Sequence, residues 1–229
     1  MSIPTIPVYV INLDHRADRW ETMRKQCLSC GIQAVRVSAV KASPGWHGCG
    51  LSHKKVAELA KKNGNKWYLV LEDDALFSIN DWNRFIKVVP YLWEHRANWD
   101  IFNGGVGSVE HFKLIERNPL LYEVAGYCSH FYFVNESAFD KMIDWTPEKA
   151  ELDNYAKWFR MLGTYPFIAT QMESKSDIVD TNGPGGMIRS SEEHIHNLLK
   201  NEKVIEGMRV RSEPEFFINK VFDFFRNTY

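Results

Sequence analysis

"WYLVLEDDA", residues 67–75, is the stretch on which the reading of the chain turns. Trp67 to Leu71 is an unbroken apolar run, the pattern of a strand covered on both faces in a parallel sheet. It runs straight into three acids, Glu72, Asp73 and Asp74. In open α/β sheets, ligands bind beyond the carboxyl ends of the strands. Adjacent carboxylates in such a place repel one another unless a cation neutralises them. Hard divalent ions, Mn2+ or Mg2+, take oxygen ligands and share carboxylates with substrate phosphates. The stretch thus predicts a central buried strand with a metal-bridged diphosphate site at its end. The plainer alternative is a solvated acid cluster.

The surroundings agree with a layered α/β chain. PVYVIN (7–12) reads as a strand and residues 16–30 as a helix with Trp20, Met23, Cys27 and Leu28 on one face. AVRVSAV (34–40) is a second strand, and HGCGLSHKKVAELAKKNG (47–64) a turn followed by a helix that Ser52 opens. Residues 82–97 form an amphipathic helix, and WDIFNGG (99–105) a strand into a glycine turn. This alternation predicts a mixed, mostly parallel central sheet flanked by helices. Farther on, LYEVAGY (121–127) and HFYFVN (130–135) look like a strand pair, 136–145 a short helix, 150–162 a longer one and 165–171 a strand. TNGPGGM (181–187) reads as a mobile loop, and FFINKVFDFFRN (216–227) as a helix with an apolar stripe. No linker interrupts the chain, which predicts a single domain.

Bulk properties narrow the function classes. The chain has 229 residues and a net charge of −1, which argues against a mainly electrostatic nucleic-acid binder. No stretch approaches the roughly 20 apolar residues of a membrane span. The first residues show no basic segment of a secretion signal, so a cytoplasmic location is expected. Four cysteines then predict free thiols, and Cys27-x-x-Cys30 has no second pair to complete a metal knuckle.

Two further stretches carry chemistry. In VINLDHRADRW (10–20), Arg16 and Arg19 follow a strand end on neighbouring turns of a starting helix. Arginine forks match phosphate geometry, and Asn12 can hydrogen-bond a base. In HGCGLSH (47–53), two glycines allow close backbone approach next to Ser52 and His53.

Taken in order, Ile11-Asn12-Leu13 with Arg16 and Arg19, Gly48-Cys49-Gly50-Leu51-Ser52-His53, and Leu71-Glu72-Asp73-Asp74 resemble the recurring blocks of glycosyltransferase family 25. The family comprises lipooligosaccharide and procollagen galactosyltransferases and viral relatives. The likeness runs from residue 8 to about 180 and takes in Tyr127–Phe133, Asp153 and PFIATQMESKSDI (166–178). Lys41-Ala42 and His47 depart from the family pattern.

The resemblance implies a GT-A-like glycosyltransferase fold: a nucleotide-binding half (1–108), an acceptor-binding half (109–185) and a C-terminal helical extension (186–229). It implies an inverting, metal-dependent transfer of galactose or glucose from a UDP-sugar to a glycan or protein hydroxyl. Asp74 and Glu72 would hold Mn2+ or Mg2+. Asn12, Leu13, Arg16, Arg19, Ser52, His53, Glu72 and Asp73 would line the donor. Asp153 would be the base, with Glu151 in reserve, and His194 or His196 a late metal ligand. An inactive glycan-binding relative and a Mg2+-dependent phosphohydrolase are the alternatives. The aromatic tail leaves docking on the core, a homodimer or peripheral membrane contact open.

Overall fold

A computed structural model describes residues 2–172 and 185–200. Trp67–Glu72 (β3) lies in the middle of an eight-stranded sheet, as its apolar run predicts. Val8–Asn12 (β1) pairs with it in parallel, and Ala34–Ser38 (β2) pairs in parallel with β1. Helices cover both faces. Trp67, Leu69 and Leu71 share one core with Met23 and Cys27 of Ala17–Ser29 (α1) and with Phe85, Val88, Val89 and Leu92 of Ile79–Glu94 (α3). On the other face Tyr68 packs against Phe139 of Phe139–Ile143 (α4). Gly45–Lys62 (α2) contributes Val56, Ala57 and Ala60, all fully buried.

The sheet is mixed but not mostly parallel. Ala75–Leu76 (β4) lies outside it, and the rest of the sheet is built from Ile101–Asn103 (β5), Gly107–Arg117 (β6), Leu120–Tyr127 (β7), Phe131–Asn135 (β8) and Met161–Thr164 (β9). The strand order is β2-β1-β3-β8-β5-β9-β7-β6. Only β1–β2, β1–β3 and β5–β9 run parallel; β3–β8, β8–β5, β9–β7 and β7–β6 are antiparallel. A parallel neighbour needs a long crossover, usually a helix. Between β5 and β8 no helix intervenes, so the chain can only double back.

Other expectations are corrected. β7 and β8 are both strands, yet they do not pair with each other. β6 is a strand the sequence pattern does not predict: it is an edge strand whose sequence, GSVEHFKLIER, mixes charged residues with an exposed Ile115 and lacks a clean apolar alternation. The helix expected over 150–162 is only Leu152–Ala156 (α5), followed by β9. Of the strand expected over 165–171, only Thr170–Gln171 (β10) forms, paired antiparallel with β4. Gly185–Met187, read as loop, opens the helix Gly185–Lys200 (α6). The rest of that loop and the aromatic tail lie outside the described residues. Residues 1–192 and 193–229 are two compact units, and of the second only Glu193–Lys200 is described. All four cysteines are free thiols. Among the described residues no helix is long and apolar enough to cross a membrane.

The Gly48-x-Gly50 spacing has a packing cause. α2 begins at Gly45, with Pro44 before it, so both glycines lie within the helix rather than in a turn. A Cβ on Gly48 would stand 2.4 Å from the Val40 carbonyl oxygen, and one on Gly50 2.1 Å from the Trp145 ring. Trp145 is fully buried and its indole N–H donates to the Ala150 carbonyl at 3.0 Å, so the ring has nowhere to move. Gly50→Ala is therefore expected to lose about 2 kcal/mol net, the overpacking cost exceeding the ~1 kcal/mol that Ala gains over Gly in a helix. Urea denaturation measures it.

Candidate functional site

The strand register assembles the site. Ile11 pairs with Glu72, so the next residues, Asn12 and Asp73, emerge side by side at the carboxyl ends of β1 and β3. The Asn12 amide donates to Asp73 Oδ2 at 2.6 Å and to the Arg16 carbonyl at 2.9 Å, while Arg36 Nε donates to its oxygen at 2.8 Å. Arg19, on α1, reaches back over the acids. Its guanidinium lies 3.1 Å from Asp73 Oδ1 and 3.3 Å from Asp74 Oδ2, with all three side chains nearly buried. Arg16 instead pairs with Asp18 beside it, at 3.1 Å. Leu13 is half-buried at the β1 exit.

Glu72 is a hub. Its Oε1 accepts from Ser129 Oγ at 2.8 Å and meets His53 Nε2 at 3.1 Å and Cys49 Sγ at 3.9 Å. Its Oε2 accepts from Gln171 Nε2 at 3.4 Å, and the same amide nitrogen donates to Asp74 Oδ1 at 3.1 Å. The β4–β10 pair sets this bridge, because Gln171 faces Ala75 and Met172 N–H donates to the Asp74 carbonyl at 2.8 Å. Ser52, expected as a helix cap, is a brace within α2: its hydroxyl donates to the Gly48 carbonyl at 2.6 Å and accepts from Val40 N–H at 2.8 Å.

Asp153 is brought to the same place from the second half of the unit. Its Oδ2 accepts from the backbone N–H of Cys128 at 3.1 Å, next to the Ser129 that holds Glu72. Among the described residues its buried Oδ1 has no hydrogen-bond partner. Cys128 has φ +79°, rare for a residue with a side chain, and Asn103 Nδ2 holds its carbonyl at 2.9 Å. Such strain persists only where contacts on several sides impose it, and it clusters at functional sites. Glu151 is exposed. His194 and His196 belong to the second unit.

The electrostatics follow from crowding. Burial, and then the charge of Glu72, push Asp74 up to about 7 and Asp153 to about 6. Burial also raises Asp73, against the hydrogen bond from Asn12 and the charge of Arg19. Glu72 moves the other way: hydrogen bonds and charge from His53, together with Ser129, outweigh its burial. A carboxyl whose folded pKa lies above its unfolded value binds more protons in the folded state, so stability falls as pH rises from the unfolded pKa of 3.8 through about 7. Asp74→Asn is expected to be more stable than the native chain at pH 8, on the order of 2 kcal/mol or about 4–8 °C in Tm, with no gain below about pH 4. Thermal melts at the two pH values check this.

Two kinds of metal donor converge here. Glu72 Oε2 and Asp74 Oδ1 both turn to the uncharged Gln171 amide; these hard oxygens fit Mn2+ or Mg2+. Cys49, His53 and Glu72 also place three donor atoms within 4.8 Å of one another, a candidate metal-coordinating site. Cys49, Gln171, Ser129 and Cys128 were not foreseen as site residues. Cys49 and Gln171 stand inside the quoted blocks GCGLSH and PFIATQ, and Cys128 and Ser129 inside the stretch Tyr127–Phe133, so the signal is membership of a block rather than any feature of the single residue.

No family model matches the chain, and no curated protein matches it. Solved structures resemble it weakly. One is a glycosyltransferase involved in the glycosylation of the major capsid of PBCV-1, with 12% identity over 68% of this chain and 75% of that one, TM-score 0.43. A second is a Bacillus anthracis protein described as a glucose-1-phosphate thymidylyltransferase, in complex with sucrose, with 12% identity over 81% and 74% and TM-score 0.40. A third is a CMP:2-keto-3-deoxy-manno-octonic acid synthetase complexed with CTP, with 13% identity over 86% and 82% and TM-score 0.35. Likeness at this level assigns neither family nor activity to the chain.

Proposed function

We propose that the chain is an inverting glycosyltransferase of family 25 type, moving galactose or glucose from a UDP-sugar to a hydroxyl of a glycan or protein. The observation that carries the reading is the convergence of Glu72 and Asp153 on consecutive residues, Ser129 Oγ and Cys128 N–H. It sets an acid cluster suited to a nucleotide-bound cation beside a separate carboxylate, one oxygen of which has no hydrogen-bond partner among the described residues. An inverting displacement needs that pairing, with leaving-group help on one side and a base on the other.

Asp74 and Glu72 would hold Mn2+ or Mg2+, which when bound neutralises charge on the departing diphosphate. Asp153 takes the proton of the acceptor hydroxyl at Oδ1. Its environment suits a base working near neutrality, since at about 6 it is mostly ionised at pH 7 yet more basic than an ordinary carboxylate. Asn12, with both amide hydrogens and its oxygen engaged inside the protein, positions Asp73 and the β1 exit. Arg19 balances the charge of Asp73 and Asp74. Arg16, half-buried at the helix start and paired with Asp18, would have to leave that pair to meet a donor phosphate.

The test is calorimetric binding of UDP with and without Mn2+. Metal-dependent binding is expected in the native chain and its loss in Asp74→Asn. Binding that needs no metal, or that survives in the variant, contradicts the assignment. Release of UDP from a UDP-hexose, with no phosphate released from simple phosphoesters, separates a transferase from a phosphohydrolase.

A further inference from the structure

Cys49 and His53 stand four residues apart on α2, one above the other on the same helix face. That face meets the end of β3, where Glu72 leaves the sheet. Cys49 Sγ, His53 Nε2 and Glu72 Oε1 form, among the described residues, the one cluster of three such donors within 4.8 Å. The His53–Glu72 separation is 3.1 Å and the Cys49–Glu72 separation 3.9 Å. A tetrahedral zinc ion, with Zn–N and Zn–O near ~2.0–2.1 Å and Zn–S near ~2.3 Å, has ligand-to-ligand edges of roughly 3.3–3.6 Å. The two edges to Glu72 bracket that range, and the Cys49–His53 edge lies within 4.8 Å, so the three donors must draw together around the ion. His53 is 1% exposed and fixed by packing; Cys49 is partly open to solvent.

We propose that Cys49, His53 and Glu72 are a three-ligand site for a Zn2+-like ion, different in chemistry from the all-oxygen pair of Glu72 and Asp74. A thiolate and an imidazole favour zinc over Mg2+ or Mn2+, which prefer oxygen and give up water reluctantly. On binding, the Cys49 thiol releases its proton to solvent and the sulfur donates an electron pair to the metal. His53 would bind through Nε2 with its proton on Nδ1, which is buried and has no hydrogen-bond partner among the described residues. Three protein ligands leave a fourth position for water, as in zinc centres that react rather than merely brace a fold. Glu72 belongs to both donor sets, so zinc withdraws it from the oxygen pair. The site itself stands on the three side chains and does not depend on sugar transfer.

Co2+ titration of the full chain after EDTA treatment tests the site. One equivalent is expected to give a thiolate-to-cobalt charge-transfer band and the intense visible bands of tetrahedral cobalt, displaced by Zn2+ and not by Mg2+. Cys49→Ser should remove the charge-transfer band, and His53→Gln should weaken Co2+ binding at least about tenfold. Asp74→Asn should keep the band, which separates this site from the oxygen pair. A native chain with only weak octahedral cobalt absorption, or a band that survives Cys49→Ser, overturns the proposal. A second measurement needs no variant. Zn2+, but not Mg2+, should slow alkylation of Cys49 by iodoacetamide, mapped by mass spectrometry, with the three buried cysteines as internal controls. Equal rates with and without Zn2+ also overturn it.

Discussion

Asp153→Asn is expected to slow sugar transfer by about 10²–10⁴-fold while Mn2+-dependent UDP binding stays intact. The substitution preserves shape, and the new amide oxygen can still accept from Cys128 N–H, so the strained turn between β7 and β8 keeps its anchor. Only the basic oxygen is lost. In the native chain kcat/KM should rise with pH through about 6 and level off, because the base acts when unprotonated. The stability sign is opposite. A folded pKa above 3.8 means that the charged form is disfavoured by folding, so Asn at this position should stabilise the protein above about pH 6. More stability with less turnover is the pattern of a group held uncomfortably for chemistry. If Asp153→Asn instead loses UDP binding, the residue belongs to the donor site; if it keeps full activity, the base lies elsewhere.

Arg19→Met is expected to cost about 3–5 kcal/mol of folding stability at pH 8, the typical result of removing one partner from a buried ion pair. Met fills much of the space of the arginine stem but leaves Asp73 and Asp74 facing each other and Glu72 without their counter-charge. The deficit should shrink as pH falls below 7, since Asp73 and Asp74 already have raised pKa values and escape the repulsion by binding protons. Adding Asp73→Asn to Arg19→Met should recover part of the loss, a coupling that a double-mutant cycle measures. The competing result is plain: unchanged stability with weakened UDP binding would make Arg19 a phosphate ligand, as expected from Arg16-x-x-Arg19 alone.

The contrast at Arg19 shows how far the chain could be read without its fold. Local pattern located β1, α1, β2, β3 and α3 within a few residues, because each has an apolar period or run that its own neighbours do not contradict. The same logic put Glu72, Asp73 and Asp74 at a strand end, and β3 does end there. Apolar runs, charge clusters and glycine spacing are properties of consecutive residues, and they were legible as such.

What only the tertiary structure decided is who meets whom. Two arginines three apart look alike in sequence, but Arg19 turns inward to two carboxylates and Arg16 turns to Asp18. Gly48 and Gly50 allow a close backbone approach on sequence grounds, and only the fold shows that the approaching groups are the Val40 carbonyl and the Trp145 ring pressed against a helix. The antiparallel half of the sheet was hidden because strand direction depends on how the chain returns, not on the strand's own residues. Gln171, Ser129 and the Cys128–Asp153 bond join positions 57 to 99 residues apart to Glu72, or 25 apart to each other. Short-range patterning sets which segments are strand, helix and acid cluster; long-range pairing of β3 with β8, and of β4 with β10, sets which side chains surround the acids, and hence what those acids can do.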